Sequence, residues 1–392
     1  MQRRNLLLGI ASAASTALAG LPAMAEGEPF KVGLILPMTG PFASTGRQIE
    51  AAARLYIAEH GDAVAGRRIE LLVKDDAGVA DTTKRLAQEL IVRDKVGALA
   101  GFGLTPLAMA TAPLASRAKM PTVVMAAATS SITEASPYVV RTSYTTPQVT
   151  SKIAEWAGAQ GMKRVVTVVS DYGPGIDAEK TFIDRFAAAG GEVTESLRVP
   201  LQNPDFSPFL QKVADAAPDA IFVFAPSGAG AQFMKQFVER GLDKSGIRLL
   251  ADGSVTDDDI LNGMGDAALA ATTGFHYSAA HDSDTNRAFV SAFKAANGGM
   301  RPNFMAAGGY DGMHAIYAAL EATGGDGNGD ALIGAMKGLS WESPRGPVQI
   351  DPETRDIVQN VYLRRVERAD GELYNIEFET FEAVKDPAKT GS

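Results

Sequence analysis

Short apolar runs alternate with amphipathic helical segments along nearly the whole chain, and this alternation restricts the fold more than any other feature. The runs lie at residues 30–36, 68–74, 98–101, 122–125, 165–169 and 220–224, most of them rich in Val, Ile or Phe. In Val165-Val166-Thr167-Val168-Val169 the apolarity is nearly unbroken. A strand exposed on one face would alternate with polar residues, so this run predicts a strand covered on both faces, in a parallel sheet between helix layers. Between the runs, segments such as 81–94 place Leu86 and Leu90 one turn apart beside Ala87 and Ile91, with Asp81 positioned to cap the helix. The order is βαβα, which predicts an α/β fold.

The pattern occurs twice. A helix from Asp81, a strand at 98–101, a Gly/Thr loop and a helix from Thr105 are echoed by a helix from Ser207, a strand at 220–224, the loop Pro226-Ser227-Gly228 and a helix to Arg240. A chain of 392 residues is long for one core and suits two lobes of about 150–180 residues each. Two doubly wound lobes with parallel-rich sheets would set their strand-end loops face to face, and open α/β sheets bind ligands at such loops. The cleft between the lobes is therefore the expected site.

Arg3 and Arg4 lead into an apolar stretch from Leu6 to Leu21 that ends in Ala23-Met24-Ala25. A basic start, a short apolar centre and an A-x-A site predict an export signal over residues 1–25, cleaved after Ala25. The adjacent arginines leave both the general secretory and the twin-arginine routes open. No cysteine follows to accept a lipid, so a free periplasmic protein is expected. The same absence removes disulfides and thiolate metal sites, leaving buried apolar area to hold the fold. A net charge of −9 without a basic run argues against nucleic acid as a partner. Enzyme signatures are also missing: there is no G-x-S-x-G, no H-E-x-x-H and no P-loop, and the four histidines lack ligand spacing. Gly325-Asp326-Gly327-Asn328-Gly329-Asp330 imitates the start of a calcium loop but has Lys337 at the closing carboxylate position, so it reads as a flexible turn. The Asp257-Asp258-Asp259 run reads as a solvated helix start. Neither a cofactor nor a metal is expected.

Three strand-end loops suggest the chemistry. The first strand runs into residues 37–46, rich in hydroxyls and glycine with Phe42 as an aromatic; the third gives Gly101-Phe102-Gly103-Leu104-Thr105-Pro106; the fourth gives Ala126-Ala127-Ala128-Thr129-Ser130-Ser131. Small residues followed by Thr, where a loop turns into a helix, leave backbone N–H groups and a hydroxyl free for a carboxylate. Phe42 and Tyr172, with Phe102 or Tyr277 as further candidates, would wall the side-chain pocket.

The run from Phe30 to Gly46, the Asp75-Asp76 pair, the 126–131 loop followed by Arg141-Thr142, Asp171-Tyr172-Gly173 and Tyr310-Asp311 in order resemble the type I periplasmic binding proteins. Within that class they are most similar to the branched-chain amino acid (Leu/Ile/Val) receptors of ABC importers, over nearly the whole mature chain. The resemblance implies two lobes joined by a three-strand hinge that close on a small solute and present it to an inner-membrane permease, without chemistry. It also implies roles: the Thr105 hydroxyl, the Ala127 backbone and the Thr129 hydroxyl on the ligand carboxylate, Tyr172 reaching across from the second lobe, and Asp252 on the ligand ammonium. A branched-chain or related amino acid is the implied ligand. An aromatic carboxylate or 2-oxo acid is the alternative, since the Leu-Thr-Pro form of the third loop also resembles receptors for aromatic acids, and a sensor subunit could use the same architecture. The implied lobes are 27–146 plus 277–344 and 147–276 plus 345–380, crossed near 145–148, 274–277 and 343–346, with a tail over 381–392 and a monomeric state.

Overall fold

The computed structural model describes residues 27–389, so the export signal expected over 1–25 lies outside the described residues. Among the described residues no helix is long and apolar enough to cross a membrane.

The first sheet contains β1 (Gly27–Leu36), β2 (Ala63–Val64), β3 (Arg67–Asp75), β4 (Ala98–Gly101), β5 (Thr122–Val124) and β6 (Val139–Arg141), in the order β2-β3-β1-β4-β5-β6. Every pair but β2–β3 is parallel. The second begins with β7 (Arg164–Ser170), β8 (Glu192–Val199), β9 (Ala220–Phe224), β10 (Arg248–Asp252) and β11 (Ala271–Phe275), all parallel. It continues, antiparallel, through β12 (Ser340–Ser343), β13 (Gly346–Ile350), β14 (Ile357–Ala369) and β15 (Glu372–Val384). Its order is β8-β7-β9-β10-β11-β14-β13-β12, with β15 on β14. The series β3-β1-β4-β5-β6 and β8-β7-β9-β10-β11 are one permutation, which is the internal repeat legible in the sequence. Residues 165–169 and 220–224 are wholly buried, as a strand covered on both faces requires.

Two expectations, the Asp81 cap and the start of the tail, need correction. The helix Ala80–Glu89 is capped by Val79 rather than Asp81, which sits in the first turn and contributes only through the helix dipole. The preceding turn is tied instead by Asp76, whose carboxylate accepts from the Gly78 N–H (2.9 Å) and the Thr83 hydroxyl (2.9 Å). Residues 340–343, expected in the first lobe, pair with β13 on the second sheet while Trp341 packs against the first core. The reason is the length of β14: a strand of 13 residues spans about 44 Å, enough to enter both halves. Its Ile357 and Val361 pack with the first core, Leu363 and Val366 with the second. The tail expected from 381 begins later, because Phe381 pairs with Val361 and the strand runs to Val384.

The crossing segments meet at a buried ion pair. Arg345 Nη2 lies 2.8 Å from Asp311 Oδ2, both side chains being fully buried. Asp311 also accepts from Trp341 Nε1 (2.8 Å) and Ser343 Oγ (2.8 Å), while Arg345 donates to the carbonyls of Ser143 (3.0 Å) and Thr142. One carboxylate and one guanidinium thus fasten the segment after β6 to the β12–β13 turn.

Candidate functional site

The loops after β1, β4 and β5 face those after β7, β9 and β10 across a small cavity. Phe42, Thr105 and Ala127 line it from the first lobe and Tyr172 from the second, so four of the six expected site residues meet at one cavity. Thr129 stands one step behind, its hydroxyl 3.0 Å from that of Thr105. Asp252 does not reach the wall; Ser254 lies between.

Each position follows from local structure. Gly101 has φ +107° and an added Cβ would fall 2.4 Å from the Ile35 carbonyl oxygen, so only glycine lets the chain turn off β4 here. Leu104 is extended, and the helix Thr105–Ala118 starts with Thr105, putting its hydroxyl at the cavity. The 126–129 loop is held from beneath by Arg141: Nη1 donates to the carbonyls of Ala127 (3.0 Å) and Tyr144 (3.1 Å), Nη2 to that of Thr129 (2.7 Å), and Nε to Asp356 Oδ1 (2.8 Å). With its carbonyls turned to a buried cation, the loop directs its remaining backbone donors elsewhere.

The donor expected of Ala127 is already spent, since its N–H donates to the Phe102 carbonyl at 3.1 Å. Ala127 contributes wall, and the N–H groups of Ala126, Ala128 and Thr129 have no partner among the described residues. Phe102 is fully buried in the core below the sheet, and Tyr277 is likewise buried; neither lines the cavity. The rings that do, besides Phe42 and Tyr172, are Tyr144, Phe224 and Phe304. Tyr144 stacks on the buried His276 at 4.6 Å and meets Phe304 edge-on. Burial pushes His276 well below the usual imidazole range, so the stack is neutral.

Asp257 and Asp258, expected at a solvated helix start, are buried instead. No helix begins there: the short turn Gly253–Thr256 ends at Asp257, and the chain folds inward. Asp257 Oδ2 accepts from the Ser227 hydroxyl and from Asn303 Nδ2 (2.9 Å); Asp258 accepts from Asn375 Nδ2 (3.0 Å) and the Ala279 N–H (3.2 Å); Asp259 takes the Ser44 hydroxyl across the cleft. Burial, and then the neighbouring Asp259, push Asp257 well above the usual carboxylate range. Sequence offered no signal for this, because three adjacent acids before an apolar helix read the same whether solvated or not. The stretch 325–330 is a helix start rather than a flexible turn, with Asn328 Oδ1 capping Gly329–Met336 and Asp330 held by Lys119 (2.7 Å) and Tyr138 (2.5 Å). Among the described residues no cluster of His, Cys, Asp or Glu could hold a metal.

Asp252 Oδ1 accepts from the Ser254 N–H (2.9 Å) and hydroxyl (2.6 Å), while Oδ2 is buried without a partner. Burial raises its pKa to about 6, offset in part by the two Ser254 bonds and Arg364. A carboxyl with a folded pKa above its unfolded value binds more protons folded than unfolded, so stability falls as pH rises from about 4 through 6 and is level above. Asp252→Asn should therefore stabilise the ligand-free protein at pH 8 by about 1–3 kcal/mol, with the gain fading below pH 5. Thermal unfolding across pH 4–8 checks this; an equal gain at every pH would contradict it.

The periplasmic binding protein family model matches residues 29–372. Leu/Ile/Val-binding protein homolog 6 of Brucella abortus is 49% identical over 362 residues, covering 91% of this chain and 93% of that protein. A solute-binding protein of an ABC transporter from Rhodopseudomonas palustris BisB5, solved in complex with 3,4-dihydroxybenzoic acid, is 62% identical with a TM-score of 0.91, covering 92% of this chain and 99% of that one. Another, from Rhodopseudomonas palustris HaA2 in complex with p-hydroxybenzoic acid, is 44% identical with a TM-score of 0.90, covering 93% and 100%. With two parallel-rich lobes around a small cavity and a family match spanning almost every described residue, the chain belongs to the periplasmic binding proteins, in the branched-chain amino acid receptor family of ABC-transporter solute-binding proteins.

Proposed function

We propose that this protein captures an aromatic carboxylate of the benzoate class between its lobes, in the periplasm and as a monomer, and delivers it unaltered to an ABC permease in the inner membrane. The observation that carries this reading is the composition of the wall. Five aromatic rings line the cavity, Phe42, Tyr144, Tyr172, Phe224 and Phe304, while no carboxylate among the described lining residues stands ready for an ammonium. A flat ring gains from such walls both by area and by edge or face contacts. The ligand carboxylate would lie on the one free hydroxyl proton of the Thr105–Thr129 pair and on the N–H groups of Ala128 and Thr129. Hydrogen bonds to a charged group contribute about 1.5–3 kcal/mol each, so three, offset by the cost of closing the lobes, support a Kd of about micromolar. The aromatic ligands of the two Rhodopseudomonas palustris receptors agree with this choice.

The name of the Brucella relative favours a second reading, a branched-chain amino acid, which would require the unpartnered Asp252 oxygen to meet the ammonium. A thermal-shift and calorimetric panel of benzoate, 4-hydroxybenzoate, leucine, isoleucine, valine and 4-methyl-2-oxopentanoate separates them, because a ligand that binds only the folded state raises Tm by mass action. Benzoates are expected to raise Tm and the aliphatic amino acids to leave it unmoved. Binding of leucine with no response to any benzoate would replace the first reading by the second.

A further inference from the structure

Two hydrogen bonds tie the lobes to each other beside the cavity. Asp257 and Asp259 follow β10 in the second lobe, after the short turn Gly253–Thr256. Ser44 lies in the first turn of the helix Ala43–His60 of the first lobe, and Asn303 caps the helix Phe304–Ala322, which packs on that one. The Ser44 hydroxyl donates to Asp259 Oδ2 and Asn303 Nδ2 to Asp257 Oδ2 (2.9 Å), so each bond starts in one lobe and ends in the other. Thr45 and Phe304, next along the chain, line the cavity, which puts both bonds at its edge. The two acids have little to offset their charge there. Arg364 of β14, whose field reaches Asp257, gives its hydrogens to the Thr273 hydroxyl (3.1 Å) and to the carbonyls of Tyr277 and Gly253 (3.2 Å). Arg301 is spent on the Leu373 carbonyl (2.6 Å) and Glu372 (2.6 Å). Asp258, on the same segment, is a third acid, and Tyr144 and Tyr277 face Asp257 as neutral phenols. Among the described residues neither Asp257 nor Asp259 has an ion pair.

We infer that Asp257 and Asp259 are a closure latch, engaging Asn303 and Ser44 only when the lobes are shut, so that ligand capture draws a proton from solution and tightens as the medium becomes more acidic. The inference rests on the reading of capture between the lobes given above, whichever small acid is held. In the open form the two acids face cleft water and ionise as ordinary carboxylates do. Closing removes that water and leaves two like charges side by side with no cation between them, and such a pair holds a proton back. Asp257 is the more deeply buried of the two, and burial and then Asp259 push it above the usual carboxylate range. Geometry gives the proton a place. Asp257 Oδ1 accepts the Asp258 N–H (3.0 Å), leaving Oδ2 to carry the proton while still accepting from Asn303 Nδ2. The contact with Ser227 then reverses, the carboxyl donating to a hydroxyl oxygen that has lone pairs to spare. A group whose closed-form pKa lies above its open-form value binds more protons closed than open, so affinity rises as pH falls.

The test is calorimetry of the purified, dialysed protein with 4-hydroxybenzoate between about pH 5.5 and 8, where the ligand carboxylate stays ionised. Each pH is measured in buffers of different ionisation enthalpy, which counts the protons exchanged. Uptake of up to about one proton per ligand is expected, with affinity gaining as much as about tenfold per pH unit where the uptake is complete. Asp257→Asn has the shape and neutrality of the protonated acid. It should bind more tightly than the unaltered protein at about pH 8, match it at acid pH and take up almost no proton. Ser44→Ala removes one cross-lobe bond and should weaken binding several-fold while leaving thermal unfolding of the ligand-free protein unchanged. Binding without proton uptake, or with proton release, overturns the inference and leaves the capture reading in place. So does an Asp257→Asn variant that keeps the uptake, or a Ser44→Ala variant of unaltered affinity. If leucine is the ligand of the earlier panel that binds, it takes the place of 4-hydroxybenzoate; if none of that panel binds, both readings fall. The buffer comparison on the unaltered protein decides the matter even where a variant does not fold.

Discussion

Arg141→Ala is expected to lower folding stability by about 3–5 kcal/mol and to remove ligand capture altogether. The side chain is fully buried and serves two structures at once. Three of its bonds fix the carbonyls of Ala127, Thr129 and Tyr144, and the fourth joins Asp356, which also holds Lys389 and Thr133. Alanine would leave a buried carboxylate short of its best partner and three carbonyls facing a void, and unsatisfied buried groups of this kind carry their full desolvation cost. The loop that shapes the carboxylate end of the cavity would lose the cation that orients it. Arg141→Lys keeps the charge but not the planar fork, so it should fall between, recovering part of the stability and little of the affinity. Urea unfolding and calorimetry with 4-hydroxybenzoate read both effects; an alanine variant with an unchanged unfolding midpoint would show that the guanidinium does not support the fold as its bonds imply.

The reasons this site was partly legible in the sequence are visible in the same residues. Strand runs declared themselves because a strand buried on both faces must be apolar throughout, and the ends of such strands in an α/β sheet locate the ligand loops without any knowledge of side-chain contacts. Hence the loops carrying Phe42, Thr105 and Ala127 could be placed at one cavity, while Tyr172 followed from the family resemblance. What escaped was everything decided by hydrogen-bond direction. Ala127 presents the expected backbone, yet its N–H is spent on Phe102, a partner set by the left-handed φ of 66° at that phenylalanine. Asp257 and Asp258 are buried only because Asn303 and Asn375, 46 and 117 residues further on, supply donors. Tyr144 reaches the cavity by following Arg141 out of β6, and a lone aromatic between two hydroxyl residues carries no periodic signal. The lobe boundaries are hard to read for a related reason: β14 belongs to both cores, and a residue count cannot divide a strand shared between them.

Gly173→Ala should weaken ligand binding by about 5- to 150-fold while leaving the ligand-free protein as stable as before. Gly173 opens the helix Gly173–Ala188 immediately after Tyr172, in the second lobe, and faces the first. An added Cβ would stand 2.4 Å from Thr129 Oγ1 and 3.3 Å from Thr105 Cγ2. Thr129 cannot simply turn aside, since its hydroxyl is paired with Thr105 at 3.0 Å and its carbonyl is held by Arg141 at 2.7 Å. The nearby Ser130 N–H to Asp177 bond, 3.0 Å across the cleft, fixes the same approach. Overpacking of this kind costs about 1–3 kcal/mol, and here the cost falls on the closed arrangement alone, because Gly173 and Thr129 sit on opposite lobes and part when the cleft opens. Apparent affinity is divided by the fraction of molecules able to close, which turns that energy into the stated loss. Alanine in the first turn of a helix is otherwise favourable, so the open form has no reason to unfold sooner. Calorimetry with 4-hydroxybenzoate and thermal unfolding without ligand measure the two halves of this expectation. A variant that binds as tightly as the unaltered protein would mean that the bound state does not bring Tyr172 and Thr129 together, and the cavity between the lobes would lose its claim to be the binding site.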